Sequence, residues 1–349
     1  MNLVNNKRYC DAIRMIAAEL PKKSSSILIT GASGLIGSCI VDTLLLANAE
    51  CGSDYQIYAL GRNREKLEQR FAYGMKTGKL QLVVQDICEP LSEALQLDYI
   101  IHAASNADPR TYALYPAETL LTNIYGATNV LNYGKQHPST RLVFTSTFET
   151  YGKIEGQDVY QENQSGVIDF NAIRSCYPES KRCAEILFRC YGEEYGVNFS
   201  IARLCSIYGP TMDPQDSKAH AQFLRKGIGN EDIVLKSEGT QRRTYLSVFD
   251  TVSGILQILF YGKNKEAYNV ASSKSIVSIA EVAHVVADLC GKKVIFDLPD
   301  EVEQRGFSAP QNIILDASQL ESLGWEAKYD IVAGMKLTID ILRELKDSK

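Results

Sequence analysis

The stretch Ile27-Leu28-Ile29-Thr30-Gly31-Ala32-Ser33-Gly34-Leu35-Ile36-Gly37 constrains this chain more than any other. A buried-looking apolar run leads straight into glycines spaced GxxGxxG and then into an apolar helical pattern. Glycine permits the tight turn and lets a pyrophosphate approach the backbone. The helix N-terminus adds N–H groups and a positive dipole end. Strand, turn and helix in that order favour a dinucleotide site over a turn that is glycine-rich for shape alone. Gly31, Ser33, Gly34, Leu35, Ile36 and Gly37 are the candidate phosphate-binding residues.

The pattern around this turn repeats. Strand candidates are Ile27–Thr30, Gln56–Leu60, Leu80–Val84, Tyr99–Ala103, Leu142–Ser146 and Asn198–Leu204. Helix candidates include Leu35–Ala47, Arg64–Tyr73, Ala117–Gln136 and Tyr177–Tyr195. Such alternation predicts an α/β fold, a Rossmann-type doubly wound parallel sheet with helices on both faces. After Gly209-Pro210 the elements shorten, although helices are expected at Val248–Tyr261 and from Ile331 to Leu345. The expected organisation is an N-terminal helical extension over 1–24, a cofactor domain over 25–205 to which 248–272 returns, and a smaller α/β substrate lobe made of 206–247 and 273–349. In the extension, Tyr9, Ile13, Ile16 and Leu20 fall on one helical face, and Ser24 to Ser26 read as a link.

The strand after the phosphate turn normally ends on the residue that reads the adenosine ribose. An acid there suits NAD, an arginine the 2′-phosphate of NADP. Here the strand ends Leu60-Gly61-Arg62 with no acid, which tilts the expectation from NAD toward NADP. Asp86 and Ile87, after the third strand, are candidates for holding adenine. Alternatively, Asp86 caps the short helix that follows.

Tyr177-Pro-Glu-Ser-Lys181 places a phenol and an ammonium one helical turn apart. A neighbouring cation is expected to lower the phenol's pKa toward neutrality, so that it can take a proton from a hydroxyl whose carbon loses a hydride. The spacing gains force from the strand end Phe144-Thr145-Ser146-Thr147 upstream, where a hydroxyl can bind the same substrate oxygen. Glu149 is a candidate acid, base or substrate ligand, or else a loop carboxylate.

Composition removes other classes. A net charge of −5 gives no electrostatic basis for nucleic acid or an anionic membrane. No apolar run is long enough to span a bilayer, and the first residues lack a signal core. Nine cysteines without CxxC spacing point to a reducing, cytoplasmic setting. Cys183 and Cys190 share a helix face and read as small buried hydrophobes. Four scattered histidines make no ligand cluster, so no metal is expected.

Taken together, these segments resemble the extended short-chain dehydrogenase/reductases of the NAD(P)-dependent nucleotide-sugar epimerase/dehydratase family, from Ser26 to the C-terminus. The likeness rests on TGASGLIG, His102-Ala103-Ala104, Asn123 within TNIYGATN, Ser146 to Gly152, YPESK, Arg203 with Tyr208-Gly209-Pro210, and Leu323-Gly324-Trp325. It implies Thr147, Tyr177 and Lys181 as catalytic residues, with Glu149 beside them, and Ala103, Ala104, Asn123 and Lys181 as cofactor contacts. It also implies substrate contacts at Ser105, Glu149, Ser206 and Arg243, the last for a diphosphate, and a homodimer formed through the helices 117–136 and 177–195. The dTDP-glucose 4,6-dehydratases read Thr-Asp-Glu where this chain has Thr147-Phe148-Glu149. UDP-glucuronate decarboxylases lack that Asp too, and Arg174 to Arg182 and Gly209 to Met212 are similar to theirs. The departures are Arg62 in place of an acid and Ser206 in place of an Asn.

The resemblance implies transient C4 oxidation of a nucleotide-diphosphate sugar, in the manner of a UDP-glucuronate decarboxylase, 4-epimerase or dehydratase. An NADPH-dependent reductase of a keto nucleotide sugar or nucleotide-linked ketose is the alternative that Arg62 favours. A non-catalytic dinucleotide sensor is disfavoured by the intact Thr147, Tyr177 and Lys181.

Overall fold

A computed structural model of the chain describes residues 3–298 and 311–347. Parts of the expected extension and lobe, residues 1–2, 299–310 and 348–349, lie outside the described residues.

Seven parallel strands form the main sheet. They are β1 (Ser24–Thr30), β2 (Asp54–Gly61), β3 (Leu80–Val84), β4 (Tyr99–His102), β5 (Arg141–Thr147), β7 (Asn198–Leu204) and β11 (Ala267–Val270). Their order is β11-β7-β5-β4-β1-β2-β3, so the winding reverses between β1 and β4. A crevice opens at the carboxyl ends of strands at such a switch point. Both faces of β1 are buried from Ile27 to Thr30, which is why Ile27-Leu28-Ile29 is an uninterrupted apolar run. Ile27 and Ile29 join one core, and Leu28 joins the other. The serines read as a link already belong to the sheet, with Ser24 paired to Asp54. The sequence pattern did not single out β11, whose four residues are too few to show a period.

Helices cover the sheet. The first face carries α1 (Lys7–Ala17), α2 (Leu35–Glu50) and α8 (Val248–Tyr261). α3 (Arg64–Met75) packs beside β3 at the sheet's edge. The other face carries α5 (Pro116–Gln136) and α6 (Cys176–Glu194), and α4 (Pro109–Leu114) adjoins α5. α1 starts because the Asn6 side chain accepts the Tyr9 N–H, and it buries Tyr9, Ile13 and Ile16. The Tyr9 hydroxyl donates to the buried Asp42 at 2.6 Å, and Arg70 and Tyr73 donate to the same carboxylate. One charge on α2 thus ties down α1 and α3. On α6, Cys183 is half-buried and Cys190 exposed, so the expected pair of buried cysteines is not formed.

The remaining elements build a second core around Phe223, Tyr245, Val282 and Met335. They include β8 (Ser206–Tyr208), β10 (Arg242–Ser247) and β12 (Ile276–Ser278), which form a three-stranded sheet in the order β12-β10-β8. Two-stranded pairs join β9 (Ile233–Leu235) to β13 (Val294–Phe296) and β6 (Val159–Tyr160) to β14 (Ile314–Leu315). α7 (Ala219–Ile228), α9 (Ile279–Cys290) and α11 (Ile331–Asp347) pack together, and the short α10 (Ser318–Glu321) lies against β11.

Candidate active site

A cleft of about 360 Å³ lies where the two cores meet, over the switch point. Gly31, Gly34, Leu35, Ile36 and Gly37 line one end of it, together with Ala103. Gly31 has φ +65°, and a Cβ there would stand 2.8 Å from the Ala103 carbonyl oxygen. A Cβ on Gly37 would stand 2.4 Å from the Gly31 oxygen. The turn therefore requires glycine at both positions. Gly34 caps α2 without a side chain, so the first N–H groups of the helix meet the cleft uncapped. Ser33 lines the outer side of the same turn.

The opposite wall of the turn is fixed by Thr30. Its hydroxyl accepts the N–H groups of Ala103 and Ala104, each at 3.1 Å, and lies 2.8 Å from His102 Nδ1. The single hydroxyl proton then points to Nδ1 and sets the Nε2–H tautomer of the ring. His102 is buried, and burial pulls its pKa down to about 3, so it is neutral. Asn123 accepts from the Ser105 hydroxyl and donates to Ser180, both at 2.8 Å. Ser180 in turn donates to the Tyr177 carbonyl. Asn123 is thus a brace between the β4 loop and the start of α6.

Thr147, Glu149, Tyr177 and Arg243 converge in the middle of the cleft, and Ser105 and Ser206 line it as well. Thr147 ends β5 and caps the 3-10 turn Phe148–Tyr151 that carries Glu149. Tyr177 and Lys181 lie one turn apart on α6, and both are buried. Lys181 Nζ donates to the Thr145 carbonyl at 2.9 Å and sits 4.7 Å from the centre of the Phe144 ring. Burial pulls its pKa down to about 7.

Tyr177 departs from expectation. Burial and the neighbouring Glu149 carboxylate push its pKa up, and the Thr147 hydroxyl and Arg174 oppose them only in part. Lys181 donates to the Thr145 carbonyl, and its own lowered pKa weakens the positive charge it can offer the phenol. The chain's own groups therefore hold Tyr177 as a neutral phenol.

Two site residues escaped the sequence. The Arg174 guanidinium pairs with Glu149 at 2.9 Å. Tyr112, from the short α4, stacks on Tyr177 with ring centres 5.3 Å apart. Arg243, expected as a diphosphate contact, is half-buried, with its guanidinium 5.7 Å from the Phe148 ring. Among the described residues its Nε is buried without a hydrogen-bond partner. An arginine in that state fits an anionic ligand in the cleft.

The adenosine-side residues lie apart from this cluster. Arg62 is exposed, 3.6 Å from both Asp86 and Glu118. Asp86 caps the backbone at Cys88, and Ile87 is buried in the core beneath. Among the described residues no cluster of three or more His, Cys, Asp or Glu could hold a metal, and no helix is long and apolar enough to cross a membrane.

A doubly wound sheet, a glycine turn at its switch point and a buried Tyr-Lys pair facing that turn define an NAD(P)-dependent enzyme of the extended short-chain dehydrogenase/reductase type. The chain belongs to the NAD dependent epimerase/dehydratase family, whose model matches residues 27–271. It is 31% identical over 318 residues to UDP-glucuronic acid decarboxylase 3 of Arabidopsis thaliana, covering 89% of this chain and 87% of that one. Its fold matches DesIV, a dTDP-glucose 4,6-dehydratase from Streptomyces venezuelae solved with NAD. The TM-score is 0.78 and the identity 23%, over 93% of this chain and 98% of that one. UDP-glucuronic acid 4-epimerase from Bacillus cereus, solved with UDP-glucuronic acid and NAD, matches with a TM-score of 0.76 and 20% identity, over 92% and 99% of the two chains.

Proposed function

We propose that this enzyme modifies a nucleotide-diphosphate sugar through transient oxidation at C4, and that decarboxylation of a UDP-linked uronic acid is the reaction its cleft fits best. The observation that carries this reading is the Glu149–Arg174 pair set against Tyr177. A base for the C4 hydroxyl, a carboxylate and a guanidinium then line the same cleft together. Phe148 stands where the dTDP-glucose 4,6-dehydratases, though not the GDP-mannose dehydratases, carry an extra acid, and it packs on Arg243. That leaves no second acid in the motif to expel a C6 hydroxyl.

The uncapped helix end at Gly31, Ser33, Gly34, Leu35, Ile36 and Gly37 would take the cofactor's diphosphate. Arg62, Asp86 and Ile87 would face its adenosine end, Ala103, Ala104 and Asn123 its wall, and Lys181 its second ribose. When bound, the nicotinamide accepts a hydride from C4 and later returns it. Beside the positive charge of an oxidised nicotinamide the Tyr177 phenol would give up its own proton to solvent, and the phenolate would then take the hydroxyl proton, with Thr147 bonded to the same oxygen. A ketone at C4 lets a C5 carboxylate leave as carbon dioxide, and Arg174 and Glu149 orient the groups at C5. Arg243 neutralises the diphosphate, while Ser105 and Ser206 contact the substrate.

Arg62 favours a second reading, a net NADPH-dependent reductase, because its guanidinium can reach a 2′-phosphate. The test is incubation with UDP-glucuronate, a panel of UDP-, dTDP-, GDP- and CDP-sugars and their 4-keto forms, with NAD, NADP or NADPH, read by mass spectrometry. Loss of carbon dioxide is expected. A gain of hydrogen only with NADPH would establish the reductase instead.

The enzyme acts as a cytoplasmic homodimer in this reading. All nine cysteines are free, in keeping with a reducing setting. Leu121 and Tyr125 on α5 and Ile186 on α6 are exposed and available for a four-helix pairing. Of the other apolar α5 residues, Ile124 is half-buried and Val130 belongs to its own core. Light scattering that gives only monomer at micromolar concentration would reject the dimer.

A further inference from the structure

The ion pair between Glu185 and Arg203 lies outside the catalytic cluster, and no step uses it. Arg203 Nη2 reaches Glu185 Oε2 at 2.7 Å and Nε reaches Oε1 at 3.0 Å. The two side chains are only 10% and 6% exposed. A buried pair of this kind adds little net stability, because desolvation of both charges offsets their attraction. Its placement is more telling. Glu185 follows Lys181 by one turn and Tyr177 by two, so all three share a face of α6. Glu185 Oε1 accepts from the Ser146 hydroxyl at 2.5 Å, immediately before Thr147. The Arg203 guanidinium lies 4.7 Å from the Tyr151 ring, at the end of the turn that carries Glu149. Its Nη1 donates to the Glu162 carbonyl at 2.8 Å. One pair therefore touches the strand end of Thr147, the turn of Glu149 and the helix of Tyr177 and Lys181.

We propose that the Glu185–Arg203 pair is a positioning element for proton and hydride transfer: it fixes the register between the Thr147 strand end and the Tyr177–Lys181 helix, and keeps a negative charge one turn from Lys181. The inference rests on the reading of Thr147, Tyr177 and Lys181 as the reacting groups. Burial opposes the ammonium form of Lys181, and Glu185 favours it. The other groups around Lys181 are the neutral Tyr177 on its own helix, the neutral His102 from β4, and the Thr145 carbonyl and Phe144 ring from β5. Only Glu185 among them is an anion. A pair present for packing alone would be replaceable by apolar side chains. A positioning pair would not, because the Ser146 bond and the charge beside Lys181 would be lost.

Two measurements on the full-length chain test this. The first needs no substrate. Lys181 is titrated by NMR in protein with isotope-labelled lysine, with Lys181→Met to assign its signal. Glu185→Gln is expected to move the Lys181 midpoint to lower pH, and an unmoved midpoint overturns the electrostatic half. The second is the single-turnover rate of hydride transfer with NAD and UDP-glucuronate. Ser146→Ala cuts the link to the strand and should slow it about tenfold. The double variant Glu185→Leu/Arg203→Met should unfold near the parent's temperature and bind NAD equally well, yet transfer hydride about a hundredfold more slowly, as small misplacements of reacting groups do. Parent-like rates in either variant overturn the positioning half, and if the double variant does not fold, Ser146→Ala decides. Hydride transfer by Tyr177→Phe, or a parent inert to UDP-glucuronate, would instead sink the reading of the site or its substrate. The Lys181 titration then decides the pair by itself.

Discussion

The phenol ring of Tyr177 lies nearly parallel to that of Tyr112, 5.3 Å away at an interplanar angle of 17°. Tyr112 is buried, and its own hydroxyl is 3.5 Å from Arg174 Nη2. The stack limits where the Tyr177 hydroxyl can point. Aromatic pairs of this kind contribute about 0.5–1.5 kcal/mol beyond the area they bury. Tyr112→Phe keeps the stack and should keep kcat near the parent value. Tyr112→Leu fills the space without a ring and should lower kcat about threefold to tenfold, with cofactor affinity unchanged. Steady-state kinetics on both variants, beside thermal unfolding, check this. Equal kcat in the two would show that the ring does not aim the phenol.

Lys181 gives a pH dependence of stability with a definite sign. Its folded pKa is pulled down from 10.5 to about 7 by burial. Between those values the unfolded chain binds the proton and the folded chain does not, so this group makes stability rise with pH. Below about pH 7 both states carry the charge, and the folded state bears the whole burial penalty. Lys181→Met should therefore raise the unfolding temperature most below pH 7, and the gain should fade toward pH 10.5. Unfolding scans across that range test it. A gain independent of pH would mean that the methionine only packs better.

Much of this was legible in the sequence, for reasons that differ by residue. Gly31 and Gly37 were visible because a local backbone constraint forces the residue type: any Cβ there would strike the backbone of the turn itself or of the β4 loop. Tyr177 and Lys181 were visible because they lie one helical turn apart, which spacing reports. Tyr112 and Arg174 were not, since they meet across 62 positions and Tyr112 is one of 19 tyrosines. The helix that carries Tyr112 has six residues, too few to show a period. The burial that raises the Tyr177 pKa in the chain by itself was hidden for a related reason. Sequence shows that a lysine lies one turn away, but not that a main-chain carbonyl already holds its ammonium.

The proposed preference for NADP turns on Arg62. Its guanidinium is exposed and 3.6 Å from both Asp86 and Glu118. Exposed pairs of this kind are weak, so the side chain is free to move onto a phosphate. The two acids also hold negative charge beside Arg62, which would oppose a 2′-phosphate bound by it. Arg62→Ala should weaken NADP by about tenfold to a hundredfold, the value of one charge-assisted contact, and NAD much less. Asp86→Asn with Glu118→Gln should move NADP affinity the other way. Calorimetric titration of each cofactor reads both effects, and equal weakening of NAD and NADP by Arg62→Ala would reduce Arg62 to a structural role.

In the proposed mechanism the Glu149–Arg174 pair acts after the oxidation step, in the chemistry at C5, whereas Tyr177 acts in the oxidation. Tyr177 touches the oxidation itself, so Tyr177→Phe should abolish every activity, including the appearance of reduced cofactor. The lost proton transfer alone amounts to about 100- to 10,000-fold. Glu149 is held 2.9 Å from Arg174 in the same cleft. It is the only ionisable side chain of the Ser146–Gly152 motif, apart from the buried Tyr151, that could act at C5. Glu149→Gln keeps the shape but breaks the ion pair, which leaves Arg174 without its counter-charge. This variant should still bind cofactor and still oxidise C4, but it should slow the later step and accumulate a 4-keto nucleotide sugar. Arg174→Met removes the cation and should do the same, with the larger effect on a substrate that carries a C5 carboxylate. Rapid-quench mass spectrometry of both variants with UDP-glucuronate measures the ketone directly. If Glu149→Gln turns over like the parent, the carboxylate is a bystander of the loop, and simple reduction or epimerisation becomes the better account of the cleft.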